Sequence, residues 1–343
     1  MPVFLGLLVV ACFAISAGLT RQFCDPRSRF HILDHPNDRS LHTRPTPRSG
    51  GVAILTAVAA GMLSLSWQFR DLSRVAWIGS GMLLVAGVSF MDDRRSLSVT
   101  GRLFAHVLAA VLLLPGGLAL NRLSVFGITW NLPLWLGAGI SVLCTVWMVN
   151  LYNFMDGMDG FAGGMAVIGF GGFAVFGWLA GNDLFLGASL VIAAAAAGFL
   201  AYNFPPARIF MGDVGSSTLG FLAAALALWG AHDGVFPIWT ALLVFSPFVA
   251  DATVTLLVRL VRGERIWQAH KTHYYQRLVQ LGWGHRRTVL WEYVLMLACV
   301  ASALWMRSRA PVVQGAVLVA WDVAYSGLII FVRLVERRRR QMA

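Results

Sequence analysis

Five aspartates stand where an apolar run meets a polar turn: Asp92 and Asp93 in "SFMDDRRSLS", Asp156 and Asp159 in "VNLYNFMDGMDGFAGG", and Asp213 in "FPPARIFMGDVGSS". Glycine and asparagine flank these turns, so the backbone can bring a carboxylate close to a ligand or to another loop. A set of hard oxygen donors suits Mg²⁺-assisted work on phosphates, in which the ion offsets charge on a diphosphate while a bond to phosphorus is exchanged. The stretch Val149 to Gly164 holds two aspartates and two asparagines and no lysine or arginine, in a chain with 27 basic and 16 acidic residues. A cation that is not a side chain would account for that gap. Arg39, Arg44, Arg48, Arg94, Arg95 and Arg208 lie in neighbouring turns and have the geometry to grip phosphate oxygens, although membrane topology alone also gathers arginines there. Asp251 and Asp322 are different, because they fall inside apolar runs, where an ionisable group requires a polar cavity or a partner.

The elements that must position these residues are membrane spans. With 343 residues, 58% of them hydrophobic, 13% charged, and a mean hydropathy of +0.70, the chain is too apolar for an ordinary soluble globule. Eleven windows read as spans, near 2–20, 50–67, 76–91, 103–120, 133–149, 161–180, 184–203, 215–231, 236–258, 288–306 and 311–332. The expected fold is thus an all-α polytopic membrane protein, one domain over 1–343. The first run is followed rather than preceded by arginine, the wrong polarity for a cleaved signal, and is expected to remain as a helix.

Twenty-two of the 27 basic residues fall in one alternate set of connections and the tail, and five in the other. The positive-inside rule therefore places loops of about 21–49, 92–102, 150–160, 204–214 and 259–287 in the cytoplasm, with the N-terminus outside and the C-terminus cytoplasmic. This topology explains the net charge of +11 without nucleic acid. The four cysteines show no CxxC spacing. A secondary transporter is the alternative reading of a polytopic chain with intramembrane acids, but its sites lie near the midplane between repeats. Here the acids sit at one edge and no repeat is visible.

Five ordered segments, "LDHPNDRSLHTRPTPRSGG", "MDDRRSLS", "NLYNFMDGMDGFAGG", "NFPPARIFMGDVGSS" and "AHKTHYYQRL", resemble the UDP-sugar:polyprenyl-phosphate sugar-1-phosphate transferases. That superfamily includes the phospho-N-acetylmuramoyl-pentapeptide transferase of peptidoglycan synthesis, and the similarity covers about residues 30 to 290. The resemblance implies Mg²⁺-dependent transfer, with Mn²⁺ as a substitute, of an N-acetylhexosamine 1-phosphate from a UDP-sugar to undecaprenyl phosphate, releasing UMP. It also implies a bacterial inner-membrane protein whose site faces the cytoplasm, and it is compatible with a homodimer.

Residue by residue, the resemblance makes Asp213 and Asn153 metal ligands. It places Asp92 and Asp93 by the reacting phosphates, leaving open which of them takes a proton, and puts Asp156 beside the diphosphate. Gly157, Met158 and Asp159 would read the uracil, with Phe210 stacking on it and Asn203 hydrogen-bonding nearby. His270, His273 and Arg277 would contact phosphates or sugar. Ser96 stands where the peptidoglycan enzyme has lysine, and His273, Tyr274 and Tyr275 replace its three histidines. These departures point away from muramoyl-pentapeptide and toward the branch that initiates O-antigen or other surface polysaccharides. The choice among N-acetylglucosamine, N-acetylfucosamine and N-acetylquinovosamine stays open.

Overall fold

The computed structural model describes residues 1–36, 41–95, 97–125, 127–265 and 270–342. The chain runs α1 (Pro2–Cys24), β1 (Leu33–Asp34), β2 (Thr46–Pro47), α2 (Gly50–Phe69), α3 (Leu72–Arg95) and α4 (Val99–Val111). It continues through β3 (Arg122–Val125), β4 (Ile128–Asn131), α5 (Leu134–Met155), α6 (Phe161–Ala180), α7 (Asp183–Asn203) and α8 (Gly212–His232). The last elements are α9 (Ile238–Val244), α10 (Ser246–Val261), α11 (Tyr274–Leu278), α12 (Gly284–Met306) and α13 (Pro311–Met342), with a π-helical turn at Val279–Trp283 joining α11 to α12. Two antiparallel pairs, β1 with β2 and β3 with β4, are the only sheet among the described residues.

Among the described residues nine helices are long and apolar enough to cross a membrane, or ten if α9 and α10 count as one span bent by 81°. The eleven expected spans are revised accordingly. The window 103–120 folds as the 13-residue α4 followed by turns, because Pro115, Gly116 and Gly117 break the helix, Gly117 at φ +78°. Thirteen residues reach about 20 Å, short of a hydrocarbon core of about 30 Å.

Helix α8 is the axis of the bundle. It is buried along nearly its whole length and packs against α2, α3 and α5. Close approach is possible because glycine meets glycine: a Cβ on Gly51 of α2 would stand 2.2 Å from the Gly215 nitrogen of α8. At the far end from the aspartates, Phe185 packs edge-on to Trp229 at 5.5 Å and Phe173 lies 5.0 Å from Phe236, filling the space between α6, α7, α8 and the α8–α9 turn.

Asp233 ties that end together. It accepts hydrogen bonds from Arg74 Nη1 (2.7 Å), Trp229 Nε1 (2.7 Å) and Asn182 Nδ2 (3.2 Å), and His232 Nδ1 lies 2.9 Å away. Burial alone would push the Asp233 carboxyl up, but the bonds from His232, Arg74 and Trp229 outweigh it and hold the carboxyl below its ordinary value. Asp251 of α10 meets the expectation that a carboxylate at that depth has partners. It accepts from the Tyr274 and Tyr275 backbone N–H groups (3.0 Å each) and from Thr255 Oγ1 (3.0 Å), and so caps α11. Asp322 is exposed on α13, and nothing in the structure explains it.

Two outcomes test this packing. Gly51→Ala should destabilise the detergent-solubilised protein by about 1–3 kcal/mol through overpacking, read as a lower unfolding temperature. Gly79→Ala should be near neutral, since nothing lies within 4 Å of its added Cβ. Because the folded pKa of Asp233 is depressed, its contribution is complete above the unfolded carboxylate pKa and is lost as pH falls through the lowered folded value. Asp233→Asn should therefore lower stability at neutral pH and flatten its fall on the acid side, measured as unfolding temperature against pH.

Candidate active site

Three loops and several helix ends converge at the other end of the bundle. The β1–β2 pair holds the loop before α2: Arg48 N–H donates to Ile32 O (2.8 Å), Ser49 Oγ donates to Phe30 O, and Phe210 N–H donates to Pro47 O (2.6 Å). The loop after α5 is clamped to the loop after α7 by Asn203. Its Oδ1 accepts from Gly160 N–H (2.9 Å) while its Nδ2 donates to Ile209 O (2.8 Å). Asp159 Oδ2 accepts from Ala207 N–H (3.0 Å), and its Oδ1 lies 3.1 Å from His285 Nδ1 at the start of α12. Gly212 enters α8 at φ +72°, where a Cβ would strike Arg48 O at 2.3 Å, so only glycine lets Asp213 of "MGD" come this close to the Arg48 loop.

These loops enclose a cavity of about 510 Å³ lined by Asp34, Asp93, Asp156, Asp159 and Asp213, with Asn153, Asn203, Gly157, Met158 and Phe210 on the same wall. Its basic lining is Arg48, with His42 and His285. Arg48 Nη1 stands 3.6 Å from Asp93 Oδ1 and 3.7 Å from Asp34 Oδ1, and its second Nη donates to the Asp93 carbonyl. Among the described residues the buried Arg48 Nε has no hydrogen-bond partner, as expected of a donor kept for a ligand, and the buried His42 Nε2 has none either, although Asp34 Oδ2 lies 3.7 Å from it. Burial, and then the charges of Asp213, Asp93 and Asp159, hold the Asp156 carboxyl well above the ordinary carboxylate range.

The donor set fits a divalent cation. Among the described residues no three His, Cys, Asp or Glu side chains form a ready-made cage. Mg²⁺ does not need one, since it is usually held by one or two carboxylates together with substrate phosphates and water. Asp213 and Asn153 both line the cavity, and Ser216 Oγ donates to Asn153 Oδ1 (2.8 Å), which fixes that oxygen in place. The crowded carboxylates supply the negative field such an ion would relieve.

The structure separates the two adjacent aspartates. Asp93 faces the cavity, whereas Asp92 is spent on the α3–α4 turn, accepting from Leu97 N–H (2.6 Å) and Arg102 Nη1 (2.7 Å). Asn203 lines the cavity, but its amide is committed to the loop clamp. Three residues of "AHKTHYYQRL" are not among the cavity's lining. His273 is buried with Nδ1 3.1 Å from Asp251, His270 packs on it at 4.7 Å, and Arg277 pairs with Glu336 of α13. From that segment Gln276 reaches the cavity instead, and Tyr275 packs beside Gly157. Of the arginines named from sequence, Arg48 lines the cavity among the described residues; Arg39 lies outside them, as does Ser96. Asp34, His42 and His285 were not singled out from sequence, although the first two fall inside the quoted "LDHPNDRSLHTRPTPRSGG". His285 carries no motif, only its place at the start of a span beside a basic loop.

The glycosyl transferase family 4 model matches residues 75–231. A probable undecaprenyl-phosphate N-acetylglucosaminyl 1-phosphate transferase of Bacillus subtilis is 33% identical over 279 residues, covering 80% of this chain and 77% of its own length. The decaprenyl-phosphate N-acetylglucosaminephosphotransferase of Mycobacterium tuberculosis is 32% identical over 330 residues, covering 85% and 81%. A phospho-N-acetylmuramoyl-pentapeptide-transferase of Lactiplantibacillus plantarum is 29% identical over 323 residues, covering 87% and 95%. Fold, cavity and relatives together define a multi-pass membrane protein of the phosphotransferase class. The chain belongs to glycosyl transferase family 4, among the polyprenyl-phosphate sugar phosphotransferases.

The division between Asp92 and Asp93 has a measurable signature. Asp93→Asn, which removes a carboxylate from the cavity lining, should cost about a hundredfold or more in sugar-phosphate transfer. Asp92→Asn and Arg102→Gln should each cost about tenfold, and the double variant no more than either alone, since both break one ion pair.

Proposed function

We propose that this protein transfers an N-acetylhexosamine 1-phosphate from a UDP-sugar to undecaprenyl phosphate and releases UMP, from the cytoplasmic face of a bacterial inner membrane. The observation that carries the reading is the single cavity in which Asp93, Asp156 and Asp213 meet Arg48 at the rim of a membrane bundle. An oxygen of the lipid phosphate attacks the sugar-side phosphorus, the new diphosphate bond forms, and the bond to UMP breaks. One diphosphate replaces another, so no outside energy source is required.

Asp213 and Asn153 would hold Mg²⁺, which when bound neutralises charge on the diphosphate. Arg48, anchored by Asp93 and Asp34, binds phosphate oxygens through its free Nε–H. Asp93 orients a protonated lipid phosphate through that proton and accepts it as the phosphate oxygen attacks. Asp156 keeps the loop after α5 against the diphosphate. Gly157, Met158 and Asp159 border the uracil, with Phe210 against its face; His42, packed at 4.8 Å on the Phe210 ring, sets that ring's plane. Catalysis of this type rests on positioning and charge neutralisation, which a rigid rim supplies. His270, His273 and Arg277 act through the position of α11 rather than by touching substrate.

Two of the relatives carry N-acetylglucosamine in their names, which favours UDP-N-acetylglucosamine as donor within the surface-polysaccharide-initiating role. The transporter alternative has no support: the relatives are transferases, and the cavity's carboxylates gather at one end of the bundle. The deciding experiment offers purified protein undecaprenyl phosphate, Mg²⁺ and a panel of UDP-N-acetyl sugars, with UMP release as readout. Release should vanish with EDTA, return with Mg²⁺ or Mn²⁺, and be lost in Asp213→Ala. Wild-type turnover in that variant would overturn the metal assignment, and no UMP from any donor would overturn the function.

A further inference from the structure

A second polar cavity, of about 470 Å³, opens on another side of α11. Gln276 lines the carboxylate cavity and Arg277 lines this one, and the two cavities share no lining residue. Six basic side chains converge here from three separate stretches: Arg259 and Arg262 at the end of α10, Lys271 and Arg277 at α11, Arg333 and Arg337 on α13. The two acids of its lining are engaged, Glu264 by Arg259 Nε (2.8 Å) and Glu336 by Arg277 Nε (2.6 Å). Among the described residues, Arg262 and Arg337 are exposed with no acidic partner, and Arg333 donates only to the neutral Tyr274 hydroxyl (3.0 Å). Positive-inside topology explains arginines near a membrane surface, but not their convergence on one concavity whose acids are already engaged.

An apolar cleft of about 430 Å³ adjoins it through Tyr274, which lines both. Two of the three walls change character in the same direction. On α13 the cleft is lined by Leu328, Phe331 and Val332, and the basic cavity by Arg333 and Arg337. On α10 the order is Pro247 and Ala250, then Arg259 and Arg262; on α11 and its flanks the two kinds interleave, Tyr275 and Leu278 on the cleft and Lys271 and Arg277 on the basic cavity. The cleft is not wholly apolar, for Asp251, Glu292 and Tyr325 also line it. Asp251 is spent on the α11 backbone, and the Tyr325 hydroxyl on Ser246 Oγ (2.6 Å).

We infer that an anionic phospholipid occupies this site, with its phosphate on the arginines of α10, α11 and α13 and an acyl chain in the cleft, and that it sets the position of α11. Basic pockets between membrane helices at the surface bind such headgroups. The bound phosphate is not the reacting one, because α11 stands between it and the carboxylates. Its influence runs through the helix: Arg277 holds one face, while Gln276 and Tyr275 press against the catalytic loop at Gly157. The inference adds a regulatory lipid to the proposed transferase, and the binding arm of its test stands without that activity.

The test uses full-length protein in nanodiscs of phosphatidylcholine with or without phosphatidylglycerol, and native mass spectrometry of lipid retained after detergent release. Wild type should retain phosphatidylglycerol over phosphatidylcholine, and Arg262→Gln/Arg337→Gln should cut that retention about tenfold. Among the described residues neither side chain makes a hydrogen bond, so the variant should keep the wild-type unfolding temperature; if it unfolds, the single Arg337→Gln replaces it. Where UMP release is measurable, phosphatidylglycerol should stimulate wild type and leave the variant unmoved. Equal retention by variant and wild type would overturn the site. Displacement of the lipid by inorganic phosphate would make it a site for a soluble anion, and displacement by undecaprenyl phosphate would make it part of the substrate path; either result overturns the regulatory lipid.

Discussion

Like charges confined in a poorly solvated space govern this molecule. Asp93, Asp156 and Asp213 come from three different elements into one cavity with Asp34 and Asp159, and one arginine faces them. Left to themselves such groups would separate or take up protons, and the raised Asp156 carboxyl records the second tendency. Much of the surrounding structure can be understood as what prevents the first. Asn203 joins two loops with both ends of its amide, Gly212 removes the side chain that would hold Asp213 away from the Arg48 loop, and Arg48 spans Asp34 and Asp93. The repulsion held in this way is what a divalent cation would relieve, leaving room for the charge of a diphosphate.

A framework that resists this repulsion must be stiff, and the bundle supplies stiffness through α8. Its glycine seam with α2 brings two backbones together without intervening side chains, while Asp233 fastens the opposite end to α3 and to the α6–α7 turn. The axis that delivers Asp213 is therefore fixed at both ends. The 81° break between α9 and α10 leaves both segments packed against α12.

Much of the site was legible because chemistry leaves local marks: carboxylates beside glycines at the ends of apolar runs sort themselves from ordinary loop acids. Asp93, Asp156, Asp159 and Asp213 were found in this way, Asn153 through the family resemblance, and all five line one cavity. What stayed hidden depends on which way a side chain turns, and that follows from distant residues. Asp92 and Asp93 are neighbours on α3, and only Arg102 and the Leu97 amide draw one aside. The histidines and arginine of "AHKTHYYQRL" look like phosphate ligands in sequence, yet Asp251, 22 residues before His273, takes up the start of α11 and turns Gln276 inward in place of Arg277. Span counting was sound where apolar runs were unbroken and failed at α4, where composition stayed apolar but Pro115 and two glycines stopped the helix.

Helix α13 stands apart from the rest of the bundle. Almost none of it is buried, and it packs against α11 and α12. Polar contacts tie it down at two levels, Tyr325 to Ser246 and Glu336 to Arg277. Its 32 residues extend about 48 Å, well beyond a hydrocarbon core of about 30 Å. The excess is its arginine-rich end, which the bilayer keeps at the water boundary whatever the local thickness. A rod seated in lipid along most of its length and bolted to α11 near its charged end works as a depth gauge. The height of the carboxylate cavity is thereby referred, through α11, to the helix that carries that charged end.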